Sequence, residues 1–384
     1  MPDSIKAVEF RDFGGHADFV FRQQEREQES KTSTSKTHSE ETVLEESVRL
    51  ETDGYVYHPN FLDFTLGGVF GLVQEDFADI VDGKRRDARN DGNLLEFNAD
   101  AYFFERKTFP VTVFAHRRRG LVPRPFLPSL ETTTTDYGFT WRYIDKKTPT
   151  SLHFSHVDAE LSPLLISRGI DDKGRQQNTE LRFETGYHFS KDHVLSFRYD
   201  FESVEEEPFN LNYDADEVTV THTLKFGGRG QHDLRSELNV RDQRGSIDLE
   251  RRRWREDLRL KYSDTWQSLF QFEALDRTRG NRSRDVPDVD ERSVLLSGSL
   301  RHQLYQSLTS QLRLFGRRQE FKPDLEITRW GGQATFNYRK TNPWGVLHAD
   351  YGVRLERNDH RGSAQLTEII DESRTFRDIE VRAF

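Results

Sequence analysis

The sequence contains no cysteine, which excludes a disulfide framework, a thiol nucleophile and a cysteine-built zinc site. Long apolar runs are missing too. Nothing approaches the ~18 consecutive apolar residues that a membrane-crossing helix needs. The first ten residues, MPDSIKAVEF, carry neither a basic n-region nor an apolar h-region, so no signal peptide is read there. An exported chain of this kind would have lost its leader or belong to a longer gene product. The motifs G-x-S-x-G, H-E-x-x-H and the phosphate-binding loop are absent. The 13 histidines are scattered. His153 and His156 are close in sequence, yet their spacing puts them on opposite faces of a strand. No enzymatic activity, catalytic residue, cofactor or metal is expected. Acidic residues outnumber basic ones, 66 to 56, for a net charge of −10, so no nucleic-acid partner is expected either.

What the chain does have is an unusual pairing of polarity with aromatics. Only 34% of residues are hydrophobic, yet there are 29 Phe, 12 Tyr and 5 Trp. A solvated, disordered polymer would not carry that aromatic load. The two properties are reconciled by a period of two. Leu62, Phe64, Leu66, Gly68, Phe70 and Leu72 alternate with Asp63, Thr65, Gly67, Val69 and Gly71. Leu181, Phe183, Thr185 and Tyr187 alternate with Arg182, Glu184 and Gly186, and Phe197 and Tyr199 alternate with Arg198 and Asp200. Phe139 and Trp141 repeat the pattern, as do Phe336 and Tyr338.

On this signal about 18 strands are expected, at 16–24, 41–57, 61–73, 93–105, 109–118, 135–144, 150–158, 179–189, 194–203, 216–227, 232–242, 254–263, 267–276, 292–304, 307–317, 328–339, 343–356 and 374–383. Most are about 9–13 residues long, enough to cross a bilayer at a tilt. Short connections, such as 58–60, 106–108 and 264–266, alternate with long polar ones, such as 25–40, 74–92 and 243–253. Lys6–Asp12 reads as an additional strand-like stretch. All five tryptophans (Trp141, Trp254, Trp266, Trp330, Trp344) fall near expected strand ends, where an indole suits the headgroup level. Two basic clusters, Arg117–Arg119 and Arg251–Arg253, suit phosphate groups or simply a solvated surface. The acidic group Asp285, Asp288, Asp290 and Glu291 has no EF-hand spacing and reads as a polar loop.

The fold class expected is all-β: a transmembrane antiparallel up-and-down barrel with short periplasmic turns and long external loops. Residues 1–15 are a short N-terminal segment, periplasmic or a truncated strand, and 16–384 a single barrel domain. Closure removes the open edges that a long meander would expose. Repeated strands such as FLDFTLGGVFGL and LRFETGYHF give the chain an architecture that resembles Gram-negative outer-membrane porins and export channels. The resemblance implies an outer-membrane location, with lipids, lipopolysaccharide, the barrel-assembly machinery, and small solutes or an exported polymer as partners.

In this register Leu62, Phe64, Leu66, Phe70, Phe139, Trp141, Phe183, Tyr187, Phe197, Tyr199, Phe336 and Tyr338 face lipid. The lumen receives Arg182, Glu184, Arg198 and Asp200. It also receives Arg235, Glu237 and Arg241; Arg255, Arg259 and Lys261; and Arg301, Arg313, Arg339 and Arg354. A channel with a charged, arginine-rich, water-filled lumen is the expected function. The alternative is a non-conducting assembly, scaffold or surface-binding barrel.

Overall fold

The computed structural model describes residues 7–29, 36–81, 84–124, 127–163, 173–208, 210–228, 230–281, 286–322, 325–343, 345–362 and 371–383. Trp344 and Asp285 lie outside them. Among the described residues the regular elements are all strands, 18 in one sheet. They are Val8–Glu29 (β1), Lys36–Val56 (β2), Leu62–Val81 (β3), Lys84–Phe103 (β4), Val111–Arg124 (β5) and Leu127–Tyr143 (β6). Then follow Thr150–Pro163 (β7), Gly174–Ser190 (β8), His193–Glu207 (β9), Leu211–Phe226 (β10), His232–Gly245 (β11) and Ile247–Lys261 (β12). The last are Trp266–Asn281 (β13), Val286–Tyr305 (β14), Leu308–Phe321 (β15), Leu325–Asn342 (β16), Gly345–Arg361 (β17) and Asp371–Ala383 (β18). Sequence neighbours pair antiparallel from β1 to β7 and from β11 to β18. This is an all-β, up-and-down architecture, with the strand number that the alternation predicts.

The strands are longer than the hydrophobic alternation suggests. Segment 74–92, expected as a long connection, is two hairpin arms whose pairing runs from Gln74↔Asp91 to Val81↔Lys84. Segment 25–40 pairs from Glu25↔Glu40 to Glu29↔Lys36, and segment 243–253 is mostly β11 and β12. Backbone ladders form whatever the side chains are, but alternation is visible only where one face is dry. Beyond that zone charged and apolar residues mix on each face, as at Glu75, Asp76, Phe77 and Ala78, and the sequence looks like loop. The acidic group at 288–291 is likewise part of β14.

A β-bulge explains the apparent extra strand at the N-terminus. The β1–β2 register shifts between Phe10 and Asp12, so Phe10 and Phe13 share a face although their spacing is odd. Lys6–Asp12 is therefore no separate element. Its residues from Val8 on open β1, and the expected boundary at residue 15 falls inside that strand. The bulged residue, Arg11, bonds Asp53 at 2.7 Å and Asp63 at 2.6 Å.

The chain divides into two compact units. The first comprises 1–145, 149–183 and 201–214; the second comprises 146–148, 184–200 and 215–384. In the first, the even positions of β3 from Leu62 to Leu72 pair with Leu50, Val48, Leu95 and Phe97 to make one apolar face. This run covers about 33 Å of strand, or about 25 Å of height at the tilt usual for membrane barrels. In the second, Leu238, Trp254, Ala274 and Val294 form one cross-strand row, and Phe272, Leu296, Gly316 and Trp330 another.

Burial is inverted relative to a water-soluble sheet. Phe19 (68% exposed), Phe70 (56%) and Leu296 (62%) stand bare, whereas Glu75 (0%), Asn239 (2%) and Glu291 (4%) are covered. In the first unit the small buried cluster Val43, Val69, Val73 and Leu94 lies on the same face as Glu75, opposite the phenylalanines.

Candidate functional site: the charged sheet face

The densest polar chemistry of the second unit lies on the odd positions of β10 to β15. Asn239 and Arg241 on β11 donate to Glu217 on β10 at 2.6 and 3.1 Å. From β12, Arg251 reaches Glu217 at 3.3 Å and the Asn239 carbonyl oxygen at 2.9 Å. One carboxylate thus gathers two guanidiniums and an amide. Lower on the same strands, Glu237 takes Arg253 at 2.8 Å and Arg235 at 3.0 Å. Asp257 takes Arg255 and Gln271, both at 2.9 Å. Higher on β14, Glu291 accepts from Arg277 and, at 3.1 Å, from Gln319.

A second centre forms on β15 to β17. Glu356 accepts from Arg329 at 2.5 Å and from Arg354. Both guanidiniums lie over the Phe315 ring, at 5.9 and 5.8 Å from its centroid, in cation–π range. Phe315, Gly331 and Glu356 are register partners. A Cβ on Gly331 would stand 2.4 Å from the Leu355 carbonyl oxygen and 3.0 Å from Phe315 Cζ, so only glycine lets ring and carboxylate share this row.

Several residues expected in the lumen share one face of the sheet. Arg235, Glu237 and Arg241 share a face with Arg255, Arg259 and Lys261. The same face runs through Arg301 and Arg313 to Arg339 and Arg354. Arg259 pairs with Asp233 at 3.8 Å. Lys261, 2.7 Å from Asp264 in the β12–β13 turn, holds that carboxyl below the usual carboxylate range, through the hydrogen bond first and its charge second. On β9, Arg198 lies 2.6 Å from Asp200 and 3.6 Å from Glu184 of β8. Arg182 alternates with Phe183 along β8.

Of the residues expected to face lipid, Leu62, Phe64, Leu66 and Phe70 share the face of Phe139 and Trp141. Phe336 and Tyr338 share that of Leu312 and Leu314. Phe183 and Tyr187 stand opposite Arg182 and Glu184, and Phe197 and Tyr199 opposite Arg198 and Asp200. Two details were not legible. Phe64 is 9% exposed, packed edge-to-face on Phe10 at 5.8 Å, and the Tyr199 hydroxyl donates to Asp216 at 2.5 Å. Trp254 and Trp330 sit inside β12 and β16 instead of at strand ends. On their face the next positions toward the loops are Arg252 and Thr328, so both mark the edge of the apolar zone.

In the first unit the polar face holds His116 between two carboxylates. Its Nδ1 is 2.9 Å from Asp136 and its Nε2 3.1 Å from Asp100, while Arg118 reaches Asp136 at 3.2 Å. Among the described residues, Glu25, His38 and Glu40 bring three donors suited to a metal within 4.8 Å, an exposed group of a kind common without an ion. Glu217, Glu356 and His116 escaped the sequence reading, and Glu291 was read only as part of a polar loop, because their partners lie on neighbouring strands and register across strands is not written in either strand alone.

No protein-family model and no curated protein matches the chain. Solved structures similar to it include Pseudomonas aeruginosa OccK7 (OpdD), at 14% identity and a TM-score of 0.32, with 96% of this chain and 98% of that chain covered. Acinetobacter baumannii OccAB2 is similar at 11% identity and a TM-score of 0.34, with 98% of both chains covered. Pseudomonas aeruginosa OpdK, solved with vanillate, is similar at 12% identity and a TM-score of 0.34, with 91% and 97% covered.

Proposed function

We propose that the chain is an outer-membrane barrel whose charged sheet face lines a water-filled, porin-like channel and whose bare aromatic face contacts lipid. The inverted burial carries this reading. A sheet that exposes Phe19, Phe70 and Leu296 while covering Glu75, Asn239 and Glu291 is suited to an apolar solvent outside and a polar space within. In this reading 16–384 belong to one barrel, the end that carries the connections 57–61, 104–110 and 262–265 is periplasmic, and the arginines at 182, 198, 235, 241, 255, 259, 301, 313, 339 and 354, with Lys261, Glu184, Glu237 and Asp200, set ion selectivity. Solute passage, not enzymatic turnover, is the activity.

A non-conducting barrel is the second reading, favoured by the density of ion pairs around Glu217, Glu237 and Glu356. Single-channel recording from refolded protein in planar bilayers separates the two. Stable conductance steps whose reversal potential shifts on Arg198→Ala support the channel. A β-rich, heat-resistant protein that inserts but stays silent supports the second reading.

A further inference from the structure

Two histidines meet on the aromatic face of the second unit. His193 opens β9 directly behind the turn at 191–192, and His222 lies on β10. Their Nε2 atoms stand 2.9 Å apart, with ring centroids 5.0 Å apart and ring planes at 75°. They are 29 positions apart in the chain, so in the sequence they counted only among scattered histidines.

The His193 ring is held by an aromatic stack. Phe189 of β8 lies on it at 4.4 Å, and Tyr187 packs edge-on against Phe189 at 4.6 Å. Lys147 stands over the Tyr187 ring at 5.1 Å. Both histidines are half-buried, while Lys191 in the adjoining turn is exposed, so the pair borders water on its turn side.

A neutral imidazole donates from one ring nitrogen and accepts at the other. A 2.9 Å contact between two Nε2 atoms therefore holds one proton between the two nitrogens. The same nitrogens are a ligand pair. Imidazole suits copper, nickel and zinc, and copper(II) is bound most tightly of the divalent series. Two metal–nitrogen bonds of about 2.0 Å at the right angle of a tetragonal ion hold their nitrogens about 2.8 Å apart, whereas a tetrahedral ion needs about 3.3 Å. The separation in the protein matches the tetragonal case, so binding asks the rings to turn and the strands to stay.

We infer that His193 and His222 form a binding site for a tetragonal divalent transition-metal ion, copper(II) foremost, which replaces the shared proton and takes water at its remaining positions. The site rests on β8 to β10 alone and is independent of conduction through the lumen.

The test is a titration of the refolded, detergent-solubilised full chain with copper(II) chloride, read by electron paramagnetic resonance. A His38→Ala background removes the competing group of Glu25, His38 and Glu40. A tetragonal spectrum with pulsed-resonance couplings to two imidazoles is expected, at one ion per chain. His193→Ala and His222→Ala should each leave a one-imidazole signal and weaken binding by about tenfold or more, at least the cost of losing an outer-shell partner. Heat-modifiability on gels checks that each variant folds, and His222→Gln, which keeps a polar side chain, replaces an alanine variant that does not. A folded parent that binds no copper overturns the site and leaves a hydrogen-bonded pair. A two-imidazole signal that survives in a folded variant overturns it as well, since the ion then sits on other histidines.

Discussion

Arg329 and Glu356 meet 2.5 Å apart across the β16–β17 ladder. The carboxylate is 4% exposed and the guanidinium 45%. Arg354 holds the same carboxylate from its own strand. This places one covered negative charge between two half-exposed positive ones on the face assigned to the lumen. Removing the acid should therefore alter the field more than the fold. Glu356→Gln is expected to shift reversal potential toward anion preference in a salt gradient. Its stability cost should be about 1 kcal/mol, since both arginines keep access to water. Urea unfolding of the vesicle-embedded protein checks the second figure, and unchanged selectivity would remove this centre from the conduction path.

The aromatic face should reject charge according to depth. Phe70 lies within the apolar run of β3 and is 56% exposed, so Phe70→Arg should cost about 2–4 kcal/mol of folding free energy in lipid. Phe64→Asp should impair assembly as well, partly through the lost edge-to-face contact with Phe10. Folding yield into vesicles, read by heat-modifiability, measures both. Normal yield for both would contradict the face assignment.

Glycine positions give a paired prediction. Gly331→Val places carbon against the Leu355 carbonyl and Phe315 and should destabilise by about 1–3 kcal/mol. At Gly316 an added Cβ meets nothing within 4 Å. Gly316→Ala should be neutral or stabilising by about 0.5 kcal/mol, since alanine loses less backbone entropy. The two are compared by urea midpoint. A cost for Gly316→Ala equal to that of Gly331→Val would remove the packing argument.

Which parts of this were legible in the sequence follows from where water sits. Between Leu62 and Leu72 one face of β3 carries large apolar side chains and the other Asp63, Thr65, Gly67, Val69 and Gly71, so the period of two appeared and placed the strand. Past Gln74 each face mixes charged and apolar residues, Glu75 with Phe77 on one and Asp76 with Ala78 on the other, so the continuation to Val81 was hidden although the ladder goes on. At Arg11 the bulge reverses parity, so Lys6–Asp12 read as a stretch apart from the strand at 16–24. The arginines of β12 announced themselves by alternation, but their shared partner Glu217 did not. It is two strands away from Arg251, and only the register brings them together.

The most direct test of the two-faced sheet uses the absence of cysteine, which makes every introduced thiol unique. Single cysteines at 293 to 300 of β14 would be probed in refolded, vesicle-embedded protein with a water-soluble thiol reagent and with lipid-borne quenchers of an attached fluorophore. The account predicts a two-residue period: quenching by lipid at 294, 296, 298 and 300, and reaction from water at 293, 295, 297 and 299. Uniform reactivity along the strand, or the opposite phase, would contradict it.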